Sequence, residues 1–185
     1  MESITFKKKI AAAVRSGDEL NEALKADVEI IFLLHSNINE LPEQIVRIHE
    51  AGKIAFVHID FAEGVGNDRA GLEYLKKIGA DGMCTTRTNL VRMAKDVGLI
   101  TVQRFFMIDS HSVWTSVDSI RISKPDIVEI MPGVVTKKIR EFSALVKVPV
   151  ITGGLVETEE EVRAALDSGA SVVSTGEQKL WKLDL

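Results

Sequence analysis

Short apolar runs alternate with amphipathic segments along almost the whole chain. The runs are Val28–Leu34, Lys53–Asp60, Gly82–Thr86, Leu99–Met107, Asp126–Met131, Pro149–Thr152 and Ser171–Ser174. A parallel strand buried on both faces reads as such a run. Between the runs lie helical patterns over Leu41–Ala51, Arg69–Ile78, Thr88–Val97, Ser112–Ile122, Val134–Val146 and Glu157–Ser168. Gly52, Gly79, Gly98 and Gly169 follow the last periodic residue of four of them, as C-terminal caps do. Thr158 with Glu161 three residues on is a capping-box pattern. Phe6–Val14 and Glu19–Ala26 also read as helical, which predicts a helical segment over 1–27 ahead of the first strand.

Strict strand–helix alternation implies a parallel sheet, either closed into a barrel or doubly wound. Three features favour the barrel. A helical N-terminus can plug the barrel bottom or pack on its side. Polar residues gather at the C-terminal ends of nearly every run, as they do around the mouth of a barrel. Two Gly-ended runs close the chain. The expectation is an α/β fold: a compact TIM-like (β/α) barrel with seven clear parallel strands and an N-terminal helical extension. One domain is expected over 1–185, with 28–185 as the barrel. The length stands against an ordinary eight-stranded barrel, which takes about 250 residues, and no eighth strand is evident.

Composition narrows the setting. The chain has 185 residues, 45% hydrophobic and 27% charged, ordinary for a soluble globular protein. No run approaches the roughly 20 apolar residues that span a bilayer, and the first residues lack the apolar core of a signal peptide. A single cysteine, Cys84, allows no intrachain disulfide and points to a reducing compartment, so the expected location is cytoplasmic with no membrane partner. The net charge of −4 argues against a generally basic surface for nucleic acid. Local clusters exist at Lys7, Lys8 and Lys9 with Arg15, and at Lys137, Lys138 and Arg140; each reads equally as a solvated helix face.

The chemistry lies at the strand ends. Val148–Gly154 (VPVITGG) and Ser171–Gly176 (SVVSTG) each end in Thr or Ser followed by Gly. Such exits let backbone N–H groups face a ligand, and after the last two strands of a barrel they form a phosphate cradle. Phe56, His58 and Asp60 share one face of their strand, with Asp60 at the mouth. Arg104 and Glu129 interrupt apolar runs on neighbouring strands, a predicted interior ion pair whose Arg suits an anionic ligand. Glu63 lies in the Gly-bearing loop Ala62–Asp68. Arg87 follows the third run beside Asp60, and Gly133 ends an MPG turn. Asp60, Glu63 and Glu129 offer oxygen ligands for Mg²⁺, with hydroxyl recognition the preferred alternative and no metal expected. His35 and His111 end near the mouth, His49 on a surface helix. Trp114 and Trp181 read as packing anchors and Cys84 as core. Lys53, Lys124 and Lys147 all lie at strand starts, away from where a Schiff-base lysine acts. No Ser–His–Asp set is evident, so the site reads as binding rather than catalytic and no catalytic residue is assigned.

Several segments resemble one family. HIDFAEGVGNDRAGLEYL (58–75), ADGMCTTRTNLVRMAKDVGLITVQRFFMIDS (80–110), KPDIVEIMPGVV (124–135), ITGGL (151–155) and VVSTGEQKLW (172–181) look like the bacterial glycerol-3-phosphate-responsive antiterminators. The resemblance runs from about Phe32 to Trp181. It implies a (β/α) barrel that binds glycerol 3-phosphate as effector, with no further cofactor. It also implies a leader mRNA as partner, bound so that RNA polymerase reads past a terminator. Carried over by motif, the ligand site comprises Asp60, Glu63, Arg87, Arg104, Glu129, Gly133, Gly153, Gly154, Ser174, Thr175 and Gly176. The RNA candidates are Lys7, Lys8, Lys9, Lys137, Lys138 and Arg140. A homo-oligomer stays open. So do two other readings: a barrel enzyme acting on a small phosphorylated substrate, with Asp60 or Glu63 as base, and a phosphometabolite sensor acting through a protein partner.

Overall fold

The structure, a computed structural model, describes residues 4–109 and 111–185. The first three residues of the expected N-terminal segment, and Ser110 at the end of the second motif, lie outside the described residues. Eight parallel strands close into a barrel in sequence order. They are β1 (Ile10–Val14), β2 (Ile30–Leu33), β3 (Ile54–His58), β4 (Gly82–Thr85), β5 (Ile100–Phe106), β6 (Ile127–Met131), β7 (Val150–Gly153) and β8 (Val172–Thr175). The outer helices are α1 (Gly17–Lys25), α2 (Leu41–Glu50), α3 (Arg69–Lys77), α4 (Thr88–Asp96), α5 (Ser112–Ser123), α6 (Thr136–Ser143) and α7 (Glu159–Asp167). A two-residue ribbon, Ser36–Asn37 against Ala62–Glu63, sits on the rim above β2 and β3. No helix of the described residues is long and apolar enough to cross a membrane.

The strand count corrects the sequence reading. Residues 10–14, expected in a helix, form β1 and close the barrel between β8 and β2. Three consecutive alanines suggest a helix by propensity, but their small side chains suit a strand whose neighbours carry the bulk. Ala11 joins Ile30, Phe32, Phe56, Cys84, Val102, Ile127, Ile151 and Val172 in the barrel interior, so every strand supplies at least one inward residue. Alternate residues such as Ala12, Ile31, Val57, Met83, Val128 and Val173 face the helices in a second cluster. Each large side chain so enclosed contributes roughly 1.5–3 kcal/mol. Ile4 and Phe6 pack against the inner cluster from below, the plugging expected of the N-terminus without the helix. Gly82 makes the interior possible, since a Cβ there would lie 2.2 Å from the Phe56 ring.

Local signals fix the crossovers. Gly52, Gly79, Gly98 and Gly169 all adopt positive φ after their helices. Thr158 and Glu161 form the capping box of α7. Ser16 caps α1 by accepting from the Glu19 N–H, while Glu19 accepts from the Arg15 N–H. That reciprocal pattern also marks where β1 must already have ended.

Candidate functional site

A cavity of about 380 Å³ opens at the C-terminal mouth beside β7, β8 and β1. Its lining includes Arg15, Leu34, Arg104, Met131, Gly154, Leu155, Ser174, Thr175 and Gly176, with Glu19, Glu157 and Glu177. Gly154 and Leu155 are consecutive positive-φ residues, at 77° and 61°. Left-handed backbone is uncommon for leucine and persists where surrounding structure enforces it. Here the Gly133 N–H donates to the Gly154 carbonyl at 2.9 Å, and the Thr175 hydroxyl donates to the Val156 carbonyl at 2.8 Å. The Glu177 N–H in turn donates to Thr175 Oγ1. Among the described residues, the N–H groups of Gly154, Leu155 and Gly176 donate to no protein acceptor. Backbone donors left over at a cavity wall, next to the Ser174 hydroxyl and an arginine, suit an anion.

Arg15 stands apart from Lys7–Lys9, the cluster its sequence position suggests: β1 places Arg15 at the mouth and the lysines at the barrel bottom. A Cβ on Gly176 would lie 3.2 Å from its Nη1, so the guanidinium lies against the second Gly exit. The readable signal is an apolar run ending in Arg, followed by Ser16 and Glu19 three residues on.

Beneath the cavity lies the expected ion pair. Arg104 Nε donates to Glu129 Oε2 at 2.6 Å, and Glu129 is fully enclosed. Cys84 Sγ approaches the same oxygen at 3.7 Å. Burial works most strongly against the charge on Arg104, yet Glu129, with Cys84 and Asp60 adding to it, together raise the guanidinium pKa. Burial pushes the Cys84 thiol up, in keeping with a core cysteine. His58 shares this level of the interior. Burial first, then Arg104, lower its pKa to about 4, so its ring is neutral at ordinary pH. Its Nδ1, like Glu129 Oε1, is buried without a partner among the described residues.

The remaining sequence candidates fall elsewhere. Asp60 accepts from Thr85 Oγ1 and the Thr86 N–H and pairs with Arg87 Nε at 3.2 Å, which ties the β3 and β4 exits together across the barrel from the cradle. Glu63 is exposed on the rim ribbon, 3.5 Å from Asn37 Nδ2. Neither Asp60, Glu63 nor Arg87 lines the cavity. Gly133 and Gly153 stand behind it as packing positions, and a Cβ on Gly133 would strike Val156 at 2.7 Å. Thr175 spends its hydroxyl on the loop rather than the opening. Among the described residues, no three His, Cys, Asp or Glu side chains gather into a metal-binding set. The loop Ala62–Asp68 is pinned by the ribbon and by Asp68, which caps α3. His35 is exposed against the Phe61 ring, His111 is exposed ahead of α5, and His49 pairs with Asp81 at the bottom. Trp181 is the anchor expected, its indole donating to the Thr175 carbonyl at 2.8 Å. Trp114 is not, since it is half exposed on α5.

A family described as glycerol-3-phosphate responsive antiterminator matches residues 10–181. The chain is similar to a glycerol uptake operon antiterminator regulatory protein of Listeria monocytogenes, with a TM-score of 0.91 and 29% identity over 97% of this chain and 98% of that one. It is also similar to a glycerol uptake operon antiterminator-related protein of Thermotoga maritima, with a TM-score of 0.85 and 36% identity over 95% and 99% of the two chains. An uncharacterised Escherichia coli protein, YgcP, is 32% identical over 175 residues, 94% of this chain and 92% of its own.

Proposed function

The chain belongs to the glycerol-3-phosphate responsive antiterminator family, and on that premise we propose that it is an RNA-binding antiterminator of glycerol-uptake genes, gated by glycerol 3-phosphate held in the barrel mouth. The observation that carries this reading is the cradle of unpaired N–H groups at Gly154, Leu155 and Gly176 beside Ser174 and Arg15. Its donors match a phosphate, and its place after β7 and β8 is where barrels hold one. The chain then acts by binding, with no chemical step required of its residues.

For RNA, the supporting surface is α6. Lys137 and Arg140 are exposed and line an open groove of about 430 Å³ with Thr136 and Glu141, while Lys138 pairs with Glu141 at 2.8 Å. The hydrogen bond from Gly133 to Gly154 links the cradle loop to the turn that starts this helix, a short path from ligand to groove. At the bottom, Lys8 pairs with Asp27, leaving Lys7 and Lys9 exposed without an ion pair among the described residues. A gel-shift against the leader of the organism's own glycerol-uptake operon tests the proposal. A band retained only with glycerol 3-phosphate is expected. Equal retention with and without it, or none in either case, defeats the gated RNA reading.

A further inference from the structure

The cavity has two arginines in unlike electrostatic states. Arg15, on the rim, is exposed and has no ion-pair partner among the described residues. Arg104, on the floor, is enclosed and already neutralised by Glu129 at 2.6 Å. Its only hydrogen bond among the described residues uses Nε, so its two Nη groups are the donors left to the cavity it lines. The floor therefore supplies a rigid fork of donors without a net charge. A planar guanidinium fork can reach two oxygens at once. With its charge compensated, it gains little from a second anion and suits neutral oxygens, such as those of a vicinal diol.

Resting on the cradle proposed above, we infer that the Arg104–Glu129 pair is the specificity floor of the site: Arg104 reads the two hydroxyls of a phosphorylated polyol, and Glu129, acting through Arg104 as a positioning residue, turns away ligands that carry a carboxylate there. Glu129 does so in two ways. Its Oε2 fixes the guanidinium plane, and its negative charge, enclosed below the floor, repels an anionic tail. The walls agree, since Leu34, Ala13 and Met131 around the floor offer no cation for a second acid. The anion end and the hydroxyl end are thus set by different strands: β7, β8 and β1 for phosphate, β5 and β6 for the tail.

Calorimetry on the full chain in phosphate-free buffer, using three probes, tests this. The probes are inorganic phosphate, glycerol 3-phosphate and 3-phosphoglycerate, which keeps the skeleton but carries a carboxylate where the terminal hydroxymethyl group was. The wild type should bind glycerol 3-phosphate at least ten-fold tighter than 3-phosphoglycerate. Glu129→Gln should bind 3-phosphoglycerate at least ten-fold tighter than the wild type does, a gain that damage to the fold cannot produce. Arg104→Lys keeps a charge beside Glu129 but loses the fork. Its affinity for glycerol 3-phosphate should fall toward that for inorganic phosphate, and this arm decides the matter if Glu129→Gln does not fold. Equal affinities in the wild type, an unchanged ratio in Glu129→Gln, or undiminished glycerol 3-phosphate binding in Arg104→Lys each overturn the floor. Failure of inorganic phosphate to bind the wild type overturns the cradle itself, so the two failures are told apart.

Discussion

Glu129 matters to stability through what its loss leaves behind. Truncating it strands Arg104 as a buried cation without its partner, a cost of about 3–5 kcal/mol. Glu129→Ala and Arg104→Ala should each lower the urea midpoint well beyond a surface change, and the double variant should be less destabilised than the sum of the two. Additive effects in that cycle mean the 2.6 Å contact contributes no coupling. His58 gives a second prediction, read in pH. Its pKa is lowered from 6.5 to about 4, burial being the main cause, Arg104 and His35 adding to it and Asp60 opposing. Between these values the unfolded chain takes up a proton that the folded chain refuses. Stability from this group is therefore full above pH 6.5, falls as pH drops, and levels off below about 4. Urea midpoints of the wild type should decline from pH 7 to pH 5, and His58→Gln should decline less. Equal slopes across that range refute the assignment.

At the scale of the element, β1 separates Arg15 at the mouth from Lys7–Lys9 at the barrel bottom, and it is the element the sequence concealed. The other strands were readable because their β-branched and aromatic runs stand out from helical periodicity, as in Val28–Leu34 and Asp126–Met131. The run IAAAV has only two such residues, and alanine propensity points the other way. Barrel closure overrides that propensity, since β2 and β8 have no other partner to complete their ladders. The cradle was legible because its two Gly exits recur in sequence, and the Arg104–Glu129 pair because charge inside apolar runs demands a partner. Asp60, Glu63 and Arg87 join them in the sequence reading because a strand-end position says that a residue is at the mouth, not on which side of it. The corrected strand separates Arg15 from Lys7–Lys9 and makes a test. On the proposed function, Arg15→Ala would remove a charge-assisted bond to phosphate worth about 1.5–3 kcal/mol, so glycerol 3-phosphate affinity should fall by roughly ten- to a hundred-fold in calorimetry. Lys9→Ala, at the other end of the same strand, should leave it unchanged. Matching losses in the two variants place the phosphate elsewhere.

Across the whole molecule, the proposed function requires ligand and RNA surfaces to communicate, because the acidic mouth does not suit a polyanion. Glu19, Glu157 and Glu177 ring the cavity, and Asp60 and Glu63 stand across from it. RNA is therefore expected outside the mouth, on the exposed Lys137 and Arg140 of α6. A ligand shifts an equilibrium only by its differential affinity for two states. On the proposed gating, glycerol 3-phosphate favours one arrangement of the Gly154–Leu155 loop, and the Gly133 bond to Gly154 is the contact that would pass that preference to the start of α6. The rim loop Ala62–Asp68 suits this role less, being tied at both ends and away from the cavity. Linkage makes the coupling reciprocal: RNA must tighten glycerol 3-phosphate binding by the same factor by which the ligand tightens RNA. Titrating the ligand by calorimetry with and without leader RNA measures that factor. It should exceed about five-fold, the lower end of ordinary coupling energies, and should shrink toward one in a Lys137→Ala, Arg140→Ala variant whose ligand affinity without RNA is that of the wild type. Identical ligand affinity in the presence and absence of RNA means that the two sites are uncoupled and that gating does not run through this barrel.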